Sequence, residues 1–372
     1  MYLPVIMKKH LTCELKMQRI ARIQEKLRQC SLDALVTKHP ANLRYASHFS
    51  GSAGVVVLPA NARPWLLVDP RYSTQARAEV HGFHIRECKS NLDSACGDVL
   101  RELGCRRVAF EPRKITLAAF HSLARQAPAK VEWMEADDLL ERMRAVKDPW
   151  ELDTIRRAAK LTCDMCDVIM RLLVPGACEL DIAAELEYQA IKKGASGTSF
   201  ETIIASGRRS ALPHGIAARR KLRAKELVIV DFGIVLEAYC SDMTRTFYLG
   251  NPGPRERRIH RAVKEALERT EETMRCGIPA AKADSTAREV LTRHRLGRYF
   301  THATGHGLGL EVHEFPGLRR DCQELLTEGM VVTVEPGVYI PDWGGVRIED
   351  MVALHSRGCE VLTPFTHDLI GL

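Results

Sequence analysis

What the chain lacks narrows its class. It has no run of about eighteen apolar residues, which excludes a membrane-spanning helix. The stretch from Met1 to His10 holds too short an apolar segment for a secretory signal. Its 12 cysteines show no disulfide framework. The one Cys-x-x-Cys pair, Cys163 and Cys166, lies in a helical pattern without a second pair nearby, and reads as a packed helix face. Reduced, scattered thiols point to a cytoplasmic protein. Aromatic residues make up only 6% of the chain, and no stripe of Lys and Arg interleaves with them. The net charge of +7, with small clusters such as Arg219-Arg220-Lys221 and Arg255-Glu256-Arg257-Arg258, is therefore read as solvated surface, and no nucleic-acid partner is expected.

What is present suits two domains. The 372 residues, 45% hydrophobic and 27% charged, are enough for a sizeable core. Residues 1 to 16 read as an extension, with Met1, Met7 or Met17 as the start. From Met17 an amphipathic helix places Ile20, Ile23 and Leu27 on one side. Residues 17–137 then alternate strand runs (34–36, 54–58, 65–68, 107–110) with helical segments (71–80, 92–103, 116–126), which predicts an α/β domain. A link follows, with Pro149 where a helix's first turn tolerates it. Residues 138–372 form the second domain. Helices are expected over 151–173, 179–193, 255–275 and 284–293, a strand over 200–205, and mostly strands and hairpins after His302.

The chemistry concentrates in the second domain. Val228-Ile229-Val230-Asp231 closes a strand pattern on an acid. A turn region containing Gly233 follows, and a second strand-like run carries Asp242, so a hairpin would bring the two carboxylates together. Facing carboxylates repel unless a cation lies between them; the bland alternative is that one acid caps a turn and the other pairs with Arg245. Val331-Val332-Thr333-Val334-Glu335 and Gly345-Val346-Arg347-Ile348-Glu349 are further strand patterns carrying acids, and Thr301 to Gly309 sets His302 and His306 among glycines. Buried acids are costly without partners. Four carboxylates and an imidazole suit a pair of divalent first-row metals. No short zinc motif is present.

These runs resemble the metallopeptidase family that contains methionine aminopeptidase, aminopeptidase P and prolidase, with its pita-bread fold. The resemblance implies two metal ions held by Asp231, Asp242, His306, Glu335 and Glu349, with Glu335 also accepting the proton of the attacking water. It further implies that His214, in Leu212-Pro213-His214-Gly215, and His313 line the substrate site and stabilise the tetrahedral intermediate. His302 is either a further substrate contact or a structural residue. Arg347 would share a strand face with Glu349, where it could orient a ligand carboxylate or bind a substrate carboxylate. Tyr239 is either packing or a donor behind the site. Asn42-Leu43-Arg44-Tyr45, Phe49 to Gly54 and Asp69-Pro70-Arg71-Tyr72 resemble the amino-terminal domain of creatinase, prolidase and aminopeptidase P, which methionine aminopeptidase lacks.

The fold expected is thus an α/β amino-terminal domain followed by an α+β pita-bread catalytic domain. The activity expected is metal-dependent hydrolysis of Xaa-Pro peptides. The dipeptidase (prolidase) is favoured over aminopeptidase P, on Arg347 and on the lack of an added domain in the sequence. A non-catalytic peptide-binding protein on the same fold is the alternative of another class, disfavoured by five intact ligands. Mn²⁺ or Co²⁺ is favoured for an oxygen-rich shell, with Zn²⁺ or Fe²⁺ as alternatives. A homodimer is expected from the resemblance, and no membrane partner.

Overall fold

Four buried runs, Trp65–Val68, Val55–Pro59, Ala34–Thr37 and Arg107–Phe110, form the middle of a six-stranded sheet in the computed structural model, which describes residues 13–136 and 138–372. Ala34–Thr37 runs antiparallel to Val55–Pro59 and parallel to Arg107–Phe110. The two edges are His84–Glu87 and Glu132–Glu135, whose charged residues discourage pairing with another chain. Helices Leu92–Glu102 and Leu117–Gln126 intervene between strands, and Val99, Leu100 and Leu123 join the core of this sheet. The first helix, Cys13–Gln29, begins ahead of the expected Met17, with Glu14 in its first turn favouring the positive helix end. Ile20, Ile23 and Leu27 are buried on it. The rest of the expected extension, with Met1 and Met7, lies outside the described residues.

The chain divides into two compact units at Met143/Arg144, within helix Leu139–Ala145; the sequence pattern alone sets the change at 137/138, just ahead of that helix. In the second unit, helix Pro149–Asp164 opens on a capping box. Asp148 accepts from the backbone of Trp150 and Glu151, Glu151 reaches back to the Asp148 N–H, and Pro149 sits in the first turn. The sequence predicts one helix to 173, but a second helix, Cys166–Leu172, starts after a break at Met165. Thr162 explains the break. Its hydroxyl bonds back to Ala158 O at 3.2 Å and to Ser241 Oγ at 2.6 Å, and Met165 N turns tightly onto Thr162 O at 3.1 Å. Cys163 and Cys166 stay unbridged, and burial pushes their thiols up to about 11 and about 12, as inert packed groups.

Helix Glu179–Lys192 follows, and a second helical pair, Pro254–Thr273 and Ala280–Arg293, comes later. Each pair backs strands. One sheet has the order Ile370–Gly371, Thr244–Tyr248, Leu227–Asp231, Ile203–Ser206. A second has Glu314–Leu318, Gly305–Gly307, Val331–Val334, Asp350–His355, Gly358–Val361. Their strand ends are stitched together where Glu349 N donates to Thr244 O at 3.1 Å. Among the described residues, no helix is long and apolar enough to cross a membrane.

Candidate active site

The first two acids sit on nested hairpins rather than one. Leu227–Asp231 pairs with Thr244–Tyr248, so that Asp231 lies opposite Thr244. Between them Ile234–Leu236 folds onto Tyr239–Cys240 through a two-residue turn at Glu237 and Ala238. The turn returns the chain so that Asp242 lies two residues ahead of the second strand, near enough for the Asp231 charge to act on it. Arg245 pairs with neither acid: its guanidinium is spent on Asp350 Oδ1 at 2.7 Å and on backbone carbonyls. Tyr239 donates to Glu151 Oε1 at 2.8 Å, behind the start of the helix, and does not line the cavity described below.

The second sheet delivers the remaining groups. His306 lies in Gly305–Gly307, where a Cβ on Gly305 would fall 2.0 Å from Thr333 O and one on Gly307 2.4 Å from Phe315 O. Only glycines allow this strand to lie so close to its neighbours. Thr333 Oγ1 accepts from His306 N at 3.0 Å and donates to Glu335 Oε1 at 3.3 Å, fixing both groups. Glu335 follows the strand Val331–Val334, and Glu349 directly precedes Asp350–His355.

Asp231, Asp242, His306, Glu335, Glu349, His214, His302, His313 and Arg347 all line one cavity of about 450 Å³. Ligand atoms of Asp242, His306 and Glu349 lie within 4.8 Å of one another. His306 Nε2 is 3.4 Å from Glu335 Oε1 and 3.7 Å from Asp242 Oδ2. Its Nδ1 is 3.0 Å from Gly307 O, an acceptor that holds the proton on Nδ1 and presents Nε2 as a lone pair to the acids. Asp231 Oδ1 and Asp242 Oδ1 are buried without a hydrogen-bond partner. Buried anionic oxygens left bare around an imidazole lone pair are what a divalent cation satisfies, so the residues present fit a metal centre.

Electrostatics agrees with the geometry. Burial, then the charges of Glu349, Asp231 and Glu335, pushes the Asp242 carboxyl well above its usual range. Burial and the Glu335 and Asp231 charges do the same to Glu349. Glu335 is raised chiefly by burial, against the opposing pull of His302 and Arg347. His302, His306 and His313 are all lowered, burial being the main cause, so they stand as neutral rings.

Arg347 is buried and committed. It donates through Nη2 to Asp231 Oδ2 at 2.6 Å, through Nε to Thr244 Oγ1 at 3.0 Å, and through Nη1 to Tyr339 OH at 2.7 Å and Pro213 O at 2.9 Å. Thr244 Oγ1 in turn donates to Glu349 Oε2 at 2.6 Å. Of the two roles open to Arg347 from its position, this is the orienting one, and it extends to the His214 loop through Pro213. His302 is fixed by Tyr339 OH, 2.9 Å from its Nε2, and by Ala303 O, 2.7 Å from its Nδ1. Thr244, Thr333 and Tyr339 are the groups that sequence reasoning missed. The two threonines stand two positions from a site acid, the spacing that shares one face where the chain is extended, which is a readable signal. Tyr339 carries none. Arg319 was also missed; it lines the cavity with its side chain 66% exposed, paired with Asp321.

Comparison with known proteins gives the family. Residues 153–356 match metallopeptidase family M24, and residues 19–146 match the creatinase/prolidase amino-terminal domain. The chain belongs to metallopeptidase family M24, a family that implies divalent metal ions. Its fold is the expected α/β amino-terminal domain with a pita-bread catalytic domain. It is similar to a Xaa-Pro dipeptidase of Pyrococcus horikoshii, 34% identical over 95% of this chain and 99% of the relative. Among solved structures, a Xaa-Pro dipeptidase from Bacillus anthracis superposes with a TM-score of 0.93, at 35% identity over 96% of this chain and 100% of the other. An X-Pro aminopeptidase from Thermotoga maritima does so at 0.87, with 33% identity over 94% and 100%.

Proposed function

We propose that the protein is a Xaa-Pro dipeptidase that holds two divalent ions, Mn²⁺ or Co²⁺ before Zn²⁺ or Fe²⁺, through Asp231, Asp242, His306, Glu335 and Glu349. The observation that carries the reading is the single cavity in which two buried, unpartnered carboxylate oxygens meet the His306 lone pair. When bound, such ions supply Lewis acidity and a nucleophile that ionises near neutral pH. Glu335, on the wall of the same cavity, would accept the proton of the attacking water. His214 and His313 donate to the oxyanion, contacts of the kind worth about 3 kcal/mol in the transition state. Phe200, Ile203, Ile216 and Val312 give the cavity an apolar wall that suits a proline ring or an aliphatic Xaa side chain.

Aminopeptidase P action is the second reading, favoured by one fact: Arg347 has little left to offer a dipeptide's carboxylate. Arg319, exposed on the same cavity, is the cation that can still meet it. A homodimer is part of the proposal. So is a cytoplasmic location, supported by the free cysteines of the described residues. Comparing kcat/KM on Ala-Pro, Ala-Pro-Ala and Ala-Ala-Ala tests the reading. A dipeptidase cleaves the first well ahead of the second, and Arg319→Ala penalises the first more. Preference for the tripeptide makes the enzyme an aminopeptidase P, and equal cleavage of Ala-Ala-Ala removes proline specificity.

A further inference from the structure

The second unit begins with two buried cations that the chemistry above does not use. The side chains of Arg144 and Lys147 are 2% and 1% exposed, and both converge on the 4% exposed carboxylate of Glu314. Arg144 Nη2 bonds Glu314 Oε1 and also reaches Glu311 Oε2 at 2.8 Å. Lys147 Nζ lies 3.3 Å from Glu314 Oε2 and 3.2 Å from Ala145 O. Burial pushes the Glu314 carboxyl up, but the Lys147 and Arg144 charges outweigh it and leave it below its usual value. A buried cluster of this kind seldom improves on apolar packing for stability alone, and its best use is to specify one geometry.

The geometry specified here is that of the loop carrying His313. Glu314 follows His313 and is paired with Gly307 across the sheet. Its Oε1 also accepts from Glu311 N at 3.1 Å, and Glu311 O accepts from Gly309 N at 3.0 Å. A Cβ on Gly309 would come within 2.9 Å of Glu314 Oε2, so glycine makes room for the carboxylate inside the loop. The His313 ring packs edge-on at 4.3 Å from the His306 ring, and among the described residues no hydrogen bond holds it. Its place is therefore set by its backbone, and the backbone is set by Glu314.

We infer that Arg144, Lys147 and Glu314 form a buckle of positioning residues that fixes the 309–313 loop and so aims His313 at the reacting peptide. This rests on the reading of His313 given above. A displacement of about 1 Å in such a group costs up to about 100-fold in rate. Arg144→Lys keeps the charge but removes the planar guanidinium whose Nη2 bridges Glu311 and Glu314. The test is a double-mutant cycle with His313→Ala, read as kcat and KM on Ala-Pro, with bound metal and melting temperature measured alongside. Arg144→Lys is expected to lower kcat about tenfold, move KM less than about twofold, keep bound metal, and cost nothing further in the His313→Ala background. An equal loss in both backgrounds, or a loss that follows metal content, overturns the buckle while leaving His313 catalytic. A His313→Ala enzyme as active as the parent overturns the reading of His313, and this inference with it. Should Arg144→Lys fail to fold, Glu311→Ala removes one of the two carboxylates that Nη2 bridges, from a partly exposed position, and the same non-additivity is required of it.

Discussion

Arg347 Nη2 lies 2.6 Å from Asp231 Oδ2, with both side chains buried. One oxygen of Asp231 is thereby taken and the other is left bare toward the cavity. The guanidinium is also bonded to Pro213 O, beside His214, and under the proposed reading it orients these groups without meeting substrate. Arg347→Ala is therefore expected to weaken metal binding by about 10- to 100-fold, and to lower kcat/KM equally for dipeptide and tripeptide. Metal titration and paired kinetics check this; loss confined to the dipeptide would return Arg347 to substrate binding.

Tyr339 joins His302 to Arg347 through one hydroxyl. Tyr339→Phe keeps the ring and removes only that link. Turnover should fall by about tenfold with metal content unchanged, since a buried donor and a buried acceptor each lose a partner. An unaltered kcat would show that the link does not bear on the reaction.

In the metal-free protein, burial and mutual repulsion raise the carboxyls of Asp242 and Glu349, and burial raises Glu335. A raised value means that the folded chain keeps protons the unfolded chain has lost. That stability is present below the ordinary carboxylate range and is lost as pH rises through the raised values. Lowered His302, His306 and His313 act in the opposite sense, but their contribution is complete above about pH 6.5. As pH rises through the raised carboxyl values, the melting temperature in chelator should therefore fall relative to that of the Mn²⁺-loaded protein, in which the ions take the protons' place. A profile in chelator that stays flat or rises relative to the loaded protein would contradict the carboxylate cluster.

The turn between Asp231 and Asp242 carries strain of its own. Glu237 and Ala238 have φ of 50° and 75°, a left-handed pair with neither glycine nor asparagine. Ala238→Gly should stabilise the protein by about 0.5–1 kcal/mol, the relief of a left-handed alanine less the extra freedom of an unfolded glycine. Calorimetry giving a lower melting temperature would show that the turn gains more from alanine than its backbone loses.

How much was legible follows from where the signals lie. The runs ending at Asp231 and Glu335 announce themselves because a carboxylate after four or five buried β-formers is costly unless partnered. The glycines around His306 do so because only they permit such close strands. The edge strands His84–Glu87 and Glu132–Glu135 were hidden, since charged residues at a sheet edge erase the apolar pattern. The short hairpin at Glu237–Ala238 was hidden because its turn breaks the residue preferences that mark such turns. Long-range partners were the least visible. That Arg245 chooses Asp350 over Asp242, and that Arg347 serves Asp231, 116 residues before it, depends on which strands meet. Strand spacing within one segment cannot tell that.

The most direct measurement is a titration of metal-stripped protein with Mn²⁺ while Ala-Pro hydrolysis is followed, run in parallel for Glu335→Gln. The account predicts no turnover in chelator and activity that reaches its plateau as two ions bind per chain. It also predicts a Glu335→Gln protein that still binds metal but turns over at least about 100-fold more slowly. Full turnover in chelator, or a Glu335→Gln enzyme restored to parental kcat by added Mn²⁺, would contradict it.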